Sequence, residues 1–475
     1  MSITEEGTIQ NETYLTVPTT PKKAKKLKPA RSTNANDEPS SYRALGQSLS
    51  TCFLSTINAS QTDLGTAMRN LGRRPMTSAS RSPISSDFSS SCSTLGCVEE
   101  EPAAPQPAIR KRKSRAKFQG SSYTLRDFSA FETIETLLLQ YGTASHMGVR
   151  DPSYTFFIND ARTGALYYKL LDKVAVITGD PLCSPTQYES LLEEFRAFCK
   201  DHDWSVAIMA AGSDLAAFAK DKNWITMRFG VEKSINPMTN PLLLGKGGKR
   251  TVTKCKQLLK SGINVQLYCP SYQHDPELEL ELKRLYDDWR TIRNTERDVQ
   301  AFMTVFDILA LPRLMTFLYA RDPLTGTIIG FAALRKLGNN AFHIDPLIAP
   351  EEAPKGTTDL LLFSAMALCN TAGISKLSLG FEPMQELSEE DISGMSSFTS
   401  KATRKVHKKM WSDLPLGGKK AFHERWHTDE ELDEDLYIVF LGTPGLRHML
   451  AMVHFANISL RSMVSSHMKK EIEGD

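Results

Sequence analysis

The order of apolar and polar positions recurs once along this chain. Thr155 to Pro181 (TFFINDARTGALYYKLLDKVAVITGDP) and Thr316 to Pro346 (TFLYARDPLTGTIIGFAALRKLGNNAFHIDP) follow one plan. Each reads as an apolar strand, a turn ending in Thr-Gly (Thr163-Gly164, Thr325-Gly326), one or two further strands and an Asp-Pro corner (Asp180-Pro181, Asp345-Pro346). Thr-Gly between apolar runs is hairpin punctuation, because glycine supplies the positive φ of tight turns. A stretch long enough for a helix follows each copy, Thr186 to Asp201 and Thr357 to Ala372, and then another strand, Ser205 to Ala211 and Lys376 to Phe381. The pattern predicts two copies of one α/β (α+β) unit.

Composition separates residues 1–118 from the rest. Ser, Thr, Pro and basic residues dominate there, and too little apolar surface is present to offset the entropy of ordering. The stretch is expected to be a disordered tail. Its two basic runs, Pro21 to Arg31 and Ile109 to Lys117, suit a solvated or import-like segment better than a defined nucleic-acid contact. The first folded unit is expected at 119–270 and the second, carrying the active site, at 271–443. The boundary falls at YCPSYQHDPE, and a helix over Asp275 to Asn294 opens the second unit. Residues 444–475 hold one amphipathic helix, Pro444 to Lys470, with Leu446, Met449, Leu450, Val453, Leu460 and Val464 on one broad face. Such a face suits a membrane surface or packing on the body, and sequence does not separate the two.

The net charge of +2 is nearly neutral, so the basic tail leaves the remainder slightly acidic. Eight cysteines without a CxxC pair, and no apolar leader, predict a reducing compartment and argue against a disulfide framework or zinc site. The longest apolar run, Leu360 to Cys369, is too short to span a bilayer. A cytoplasmic protein with peripheral contact to intracellular membranes is expected.

Strands, an Asp-Pro corner, a helix and a strand in that order fit the acetyltransferase-like (GNAT-like) fold, so acyl-CoA chemistry is the first to weigh. CoA-binding turns offer glycines and free amides to a pyrophosphate. The second copy has only Gly356 there, followed by Asp359, whose carboxylate repels phosphate; the first copy, PLCSPTQYESLL, has no glycine. CoA is therefore discounted as donor. Asp359 also has a plainer reading, a carboxylate favoured at the positive end of a helix. The segment Leu242 to Gly262 sets Gly245, Gly247 and Gly248 before a helix, with Lys246, Lys249, Arg250, Lys254, Lys256 and Lys260 on or beside it. It is no Walker A motif, since the terminal Lys-Ser/Thr is missing at the required spacing. Its cations suit a phosphodiester backbone, or simply a solvated helix face.

At this point four segments carry a family resemblance. PKGTTDLLLFSAMALCNTAGISKLSLGFEPM (Pro354 to Met384) resembles the N-G-T-x-D-x-L-F…G-x-x-x-x-x-L-G-x-x-P stretch of the phosphatidylglycerol lysyltransferase C-terminal domain, the catalytic part of aminoacyl-phosphatidylglycerol synthases. VAVITGDPLC resembles its V-x-x-G-D-P segment, and GKGGKRTVTKCKQLLKSGINVQLY its basic helix. KKAFHERWHTDEELDEDLYIVF (Lys419 to Phe440) resembles its closing K-x-x-F-x-P-x-W…Y-L-V. The four lie in register over nearly all of Ser121 to Gly442. His423-Glu424-Arg425 replaces the usual Pro before Trp426, and Pro346 follows Asp345 where the family continues Leu-Met-Arg. No membrane-embedded flippase part or synthetase domain is read here. In this the chain resembles the freestanding fungal transferases that esterify ergosterol, for which glycyl-tRNA is the implied donor and ergosteryl-glycine the product.

The resemblance implies transfer of an amino acid from charged tRNA to a lipid hydroxyl, with charged tRNA as co-substrate and no cofactor or metal. Aminoacyl transfer to phosphatidylglycerol is the close alternative; a CoA-dependent N-acyltransferase and a non-catalytic RNA or membrane adaptor are the other readings. Asp345, Asp359 and Glu382 are the candidates to bind the donor's ammonium or receive the hydroxyl proton. Lys246, Lys249, Arg250 and Lys254 are the candidates for tRNA phosphates. Trp426 is either an acceptor-channel aromatic or a core tryptophan. His343 and Asp345, two apart on a strand, share one face, while Asp180, at the duplicate position of Asp345, is expected to cap its turn.

Overall fold

The alternating segments fold as strands and the long apolar stretches as helices, in a computed structural model that describes residues 41–59, 62–72, 121–296, 307–412 and 417–456. In chain order, two helices, α1 (Ser41–Thr56) and α2 (Leu64–Arg69), precede β1 (Ser121–Tyr123), α3 (Phe128–Tyr141), β2 (Thr155–Ile158), β3 (Ala165–Leu171), β4 (Val174–Thr178), α4 (Tyr188–Asp201), β5 (Ser205–Ala211), α5 (Ser213–Asp221) and β6 (Ile225–Ile235). Then come α6 (Lys249–Lys260), β7 (Asn264–Tyr268), α7 (Pro276–Glu296), β8 (Met315–Arg321), β9 (Ile328–Lys336), β10 (Phe342–Ile348), α8 (Thr357–Thr371) and β11 (Leu377–Pro383). The last elements are β12 (Ile392–Ser393), α9 (Ser397–Ser412), α10 (Gly417–Arg425), β13 (Glu434–Phe440) and α11 (Leu446–Phe455).

One sheet runs through both copies in the order β1-β2-β3-β4-β5-β13-β6-β11-β10-β9-β8-β7, with β12 added against β6. Its pairs are antiparallel except two, β4 with β5 and β10 with β11. A parallel pair needs a crossover, and α4 and α8 supply it, one in each copy. The duplicated GNAT-like unit is thus present in the topology.

The linear division at 270/271 does not match the sheet. Strand β7 pairs with β8 and α6 packs on α8, so both belong beside the second copy. Strand β13, from the end of the second copy, inserts between β5 and β6. The two halves therefore share strands rather than meet at a linker.

The composition-based tail also contains folded chain. Helix α8 has no polar face: Leu360, Leu361, Leu362, Phe363 and Met366 are all buried. A helix apolar all round must be covered on every side. Helix α1 is the cover, bringing Leu49 and Phe53 into that core. At Gly46 a Cβ would sit 2.8 Å from the Ala367 carbonyl oxygen, so glycine sets how closely the two helices approach. Asp63 caps α2 through the Gly65 and Thr66 amides, at 3.1 and 2.9 Å, and buried Lys336 donates to the Met68 carbonyl at 3.1 Å. The basic runs at 21–31 and 109–117 lie outside the described residues.

Helix α11 packs Ala451 and Met452 on the sheet and leaves Leu446 and Met449 exposed. Leu460 and Val464 lie outside the described residues. No described helix is long and apolar enough to cross a membrane.

Candidate active site

Strand pleating divides β10 between two environments. Phe342 and Ile344 face the core under α8, while His343 and Asp345 face the other side of the sheet, as their spacing predicts. There they line a cavity of about 510 Å³. Its wall is contributed by both copies: Tyr154 and Met209 from the first, Glu232 from β6, Gly380 and Phe381 from β11, and Lys419 from α10.

A short helical turn, Ala144–Arg150, pins both Asp-Pro corners to this place. The His146 ring lies 2.9 Å from the Asp180 carbonyl oxygen through Nε2. Four residues on, Arg150 Nη2 donates to the Asp345 carbonyl oxygen at 2.9 Å and to its Oδ2 at 3.3 Å. The duplicated corners thus have different roles. Asp180 Oδ1 accepts from the Gly212 amide at 2.7 Å, tying β4 to the start of α5 rather than capping its own turn. Asp345 keeps a quarter of its side chain exposed, in the cavity.

Burial governs the protonation states. It raises the Asp345 carboxyl above the usual range, while Arg150, Lys419 and Arg335 oppose that rise. It pulls Lys419 down, against the attraction of Asp345 and Glu382, although the residue as a whole is exposed. His343 is held well below its usual value, by burial first and then by Arg335 and Arg150, so its imidazole is neutral. Its Nδ1 lies 3.3 Å from the Ser378 carbonyl and hydroxyl, and its Nε2 has no partner. Gly380, at φ +88°, makes room for the ring, since a Cβ there would lie 3.1 Å from His343 Cε1. Glu232 is 2% exposed, and neither carboxylate oxygen has a hydrogen-bond partner. Burial, then Glu434, pushes its carboxyl up to about 7, against Lys376, the nearby Ser378 hydroxyl and Arg335. A buried carboxyl that ionises near neutrality in a cavity is suited to proton transfer.

Helix α10 reaches all three carboxylates singled out in the sequence, but they do not share one site. Lys419 is drawn to both Asp345 and Glu382, while Arg150 acts more strongly on Asp345. His423 Nδ1 pairs with Glu382 Oε2, which engages that carboxylate outside the cavity lining. Arg425 holds Asp359 Oδ1 at 2.9 Å at the start of α8. Asp359 is thus in an ion pair beside a helix N-terminus and does not line the cavity. Trp426 is wholly buried in the core under α8, which corrects the acceptor-channel reading. Two of the three residues that depart from the family's closing motif, His423 and Arg425, form these pairs.

The basic helix α6 lies on the α8 side of the sheet. Lys249, Arg250 and Lys254 line a shallow groove with Thr253 and Gln257, and Lys246 is exposed just before it. Among the described residues none of the four cations has an ion-pair partner. The stem of Lys254 lies against Gly356, where a Cβ would be 2.6 Å from its Cε, so the groove reaches the start of α8.

Sequence reasoning passed over Glu232, Arg150, Arg335 and Lys419. Lys419 was in view, as the first residue of the K-x-x-F motif. The others are lone charges whose burial only the folded sheet reveals.

Two acyltransferase-like units sharing one sheet, with a charged cavity at their junction, define the class of protein. The chain belongs to the phosphatidylglycerol lysyltransferase C-terminal family, whose model matches residues 135–439. It is 25% identical over 281 residues to the lysylphosphatidylglycerol biosynthesis bifunctional protein LysX of Rhodococcus jostii (strain RHA1), covering 58% of this chain and 24% of that protein. To LysX of Mycobacterium marinum (strain ATCC BAA-535 / M) it is 23% identical over 265 residues, covering 54% and 23%. The chain thus spans about a quarter of the length of these curated relatives. Among solved structures it is similar to L-PGS from Bacillus licheniformis, with a TM-score of 0.53, 17% identity, and 69% of this chain and 96% of that chain covered. The C-terminal DUF2156 domain from Agrobacterium fabrum gives a TM-score of 0.52 at 17% identity, with 68% and 94% covered. At such identity these two likenesses establish the fold.

Proposed function

We propose that this protein transfers an aminoacyl group from charged tRNA to the hydroxyl of a membrane lipid. The observation that carries the reading is the convergence of Glu232, Asp345, His343 and Lys419 in one cavity at the junction of the two copies. Family membership over 135–439 supports the reaction class. The names of the relatives favour phosphatidylglycerol as acceptor and a lysyl donor. The sterol and glycyl-tRNA reading rests on sequence resemblance and is the competing arm of the same assay.

In this reading the acceptor hydroxyl oxygen attacks the ester carbonyl carbon of the aminoacyl-tRNA. Its proton passes to Glu232, and the Lys419 ammonium faces the tetrahedral oxyanion. Collapse breaks the bond to the terminal ribose oxygen, which takes the proton back from Glu232. Asp345, held by Arg150, positions the donor's ammonium. One ester replaces another, so alignment and oxyanion stabilisation are what the protein adds. The groove of α6 would carry the tRNA backbone on the far side of the sheet. The test is RNase-sensitive transfer of label from lysyl-tRNA or glycyl-tRNA into lipid, with phosphatidylglycerol and ergosterol vesicles offered separately. Label in an alkali-labile lipid identifies donor and acceptor together, and no labelled lipid with any charged tRNA would sink the reading.

A further inference from the structure

Helix α9 has its faces reversed. It turns Ser400 and His407 to the body, with Thr403 and Arg404 half-buried beside them. To solvent it presents Phe398, Ala402 and Val406, one helical turn apart, with Phe398 85% and Val406 55% exposed. Lys401 and Lys405 flank that stripe and are exposed, and Lys408, also exposed, pairs with Glu386 at 2.7 Å. A helix on a water-facing surface normally buries its apolar stripe. An exposed aromatic and aliphatic stripe edged by lysines is the face of a helix lying in a bilayer interface.

Its anchorage ties that face to the cavity. Strand β11, which supplies Phe381 to the cavity wall, precedes α9 with only β12 between them, and α10, which supplies Lys419, follows it. Thr403 Oγ1 donates to Met395 Sδ at 3.7 Å, and Met395 packs in the cluster containing Phe229, Phe381 and Leu436, three residues of the cavity wall. Arg404 holds Glu389 at 3.2 Å in the connecting loop. The inner face of α9 is therefore fixed, and the outer face is left for a partner.

We propose that α9 docks this protein on an anionic phospholipid bilayer, with Phe398 and Val406 entering the boundary between headgroups and acyl chains and Lys401 and Lys405 meeting headgroup phosphates. Charge complementarity selects the anionic surface, at about fivefold in affinity for each lysine. The apolar stripe selects lipid over RNA, because a phosphate backbone would engage the lysines and leave Val406 in water. The proposal concerns attachment, and it stands or falls independently of the transfer reaction.

The test is sedimentation of the full chain with vesicles of phosphatidylcholine, alone or mixed in equal parts with phosphatidylglycerol. Binding is expected to the mixed vesicles only. Phe398→Ser with Val406→Ser weakens it about tenfold or more, because burial of the apolar side chains is lost. Lys401→Glu with Lys405→Glu weakens it at least as much, and adding salt mimics that change. Phe128→Ser, at a 95% exposed position on α3, leaves binding unchanged. Unaltered melting temperatures establish that the variants fold, as expected for surface substitutions. Equal sedimentation of wild type and both double variants overturns the proposal. So does a loss of charged-tRNA retention in the lysine variant with vesicle binding intact, which would assign the face to RNA. Transfer to a detergent-dispersed acceptor, measured alongside, reports on the reaction separately.

Discussion

Arg150 and Asp345 lie 195 positions apart, and one guanidinium nitrogen of the first donates to both the carbonyl and the carboxylate of the second. The arginine side chain is fully buried. The pairing joins the turn that opens the first copy to the corner that shapes the second, so the cavity between them depends on both copies being folded. Replacing Arg150 with methionine removes the ion-pair partner of Asp345. Removing one partner of a buried pair costs about 3–5 kcal/mol, and a clear fall in the midpoint of thermal unfolding is expected. An unchanged midpoint would mean that the pair does not bind the copies together.

Glu232 gives a prediction with a defined pH window. Its carboxyl is raised from 4.5 to about 7, so between those values the unfolded chain loses a proton that the folded chain retains. Stability contributed by the neutral carboxyl is fully present below the lower value and is lost as pH rises through about 7. Glu232→Gln removes this dependence, and its advantage over wild type grows across the window to on the order of 3 kcal/mol. Asp180, also raised to about 7, contributes a similar slope to both proteins and cancels in the comparison. Denaturant unfolding at several pH values measures the difference, and parallel curves would contradict the assignment. If Glu232 also receives the hydroxyl proton, wild-type transfer rises with pH through about 7 and the glutamine variant loses that rise.

The groove of α6 makes tRNA affinity salt-dependent. Charge removal at Lys249, Arg250 and Lys254 lowers the slope of log affinity against log salt by about 0.7–0.9 for each phosphate that is no longer neutralised. Filter binding with charged tRNA reads the slope. An unchanged slope would return these cations to a solvated helix face.

Gly46 tests whether α1 belongs to the body. A side chain there meets the Ala367 carbonyl oxygen, so Gly46→Val is expected to destabilise by about 1–3 kcal/mol as α1 is pushed off α8. No change in unfolding midpoint would show that α1 is dispensable to the core.

Local pattern carried much of this architecture. Strand β5 spans the residues that the alternation predicts, and α8 agrees to within a residue at its end. The unit boundary was not legible, because the insertion of β13 between β5 and β6 is a long-range pairing without a local signal. Helix α1 was hidden by its Ser-rich surroundings, although Tyr42, Leu45, Leu49 and Phe53 already had helical spacing. The absence of a polar face on α8 was the stronger clue that a cover was needed. At the site, His343 and Asp345 were legible from spacing. Glu232 was not, because a lone acid in an alternating strand looks solvent-facing until strands close on both its edges. Asp359 and Glu382 have acidic character suited to chemistry, but Arg425 and His423 engage them outside the cavity.

The most direct measurement compares wild type with Asp345→Asn and Lys419→Met in RNase-sensitive transfer of labelled amino acid from charged tRNA into lipid. The account predicts labelled lipid with wild type and, for each variant, a loss of about 100-fold or more with tRNA retention unchanged, as for removal of a group that stabilises developing charge. Undiminished transfer by both variants would contradict it, because the chemistry would then lie outside the cavity between the two copies.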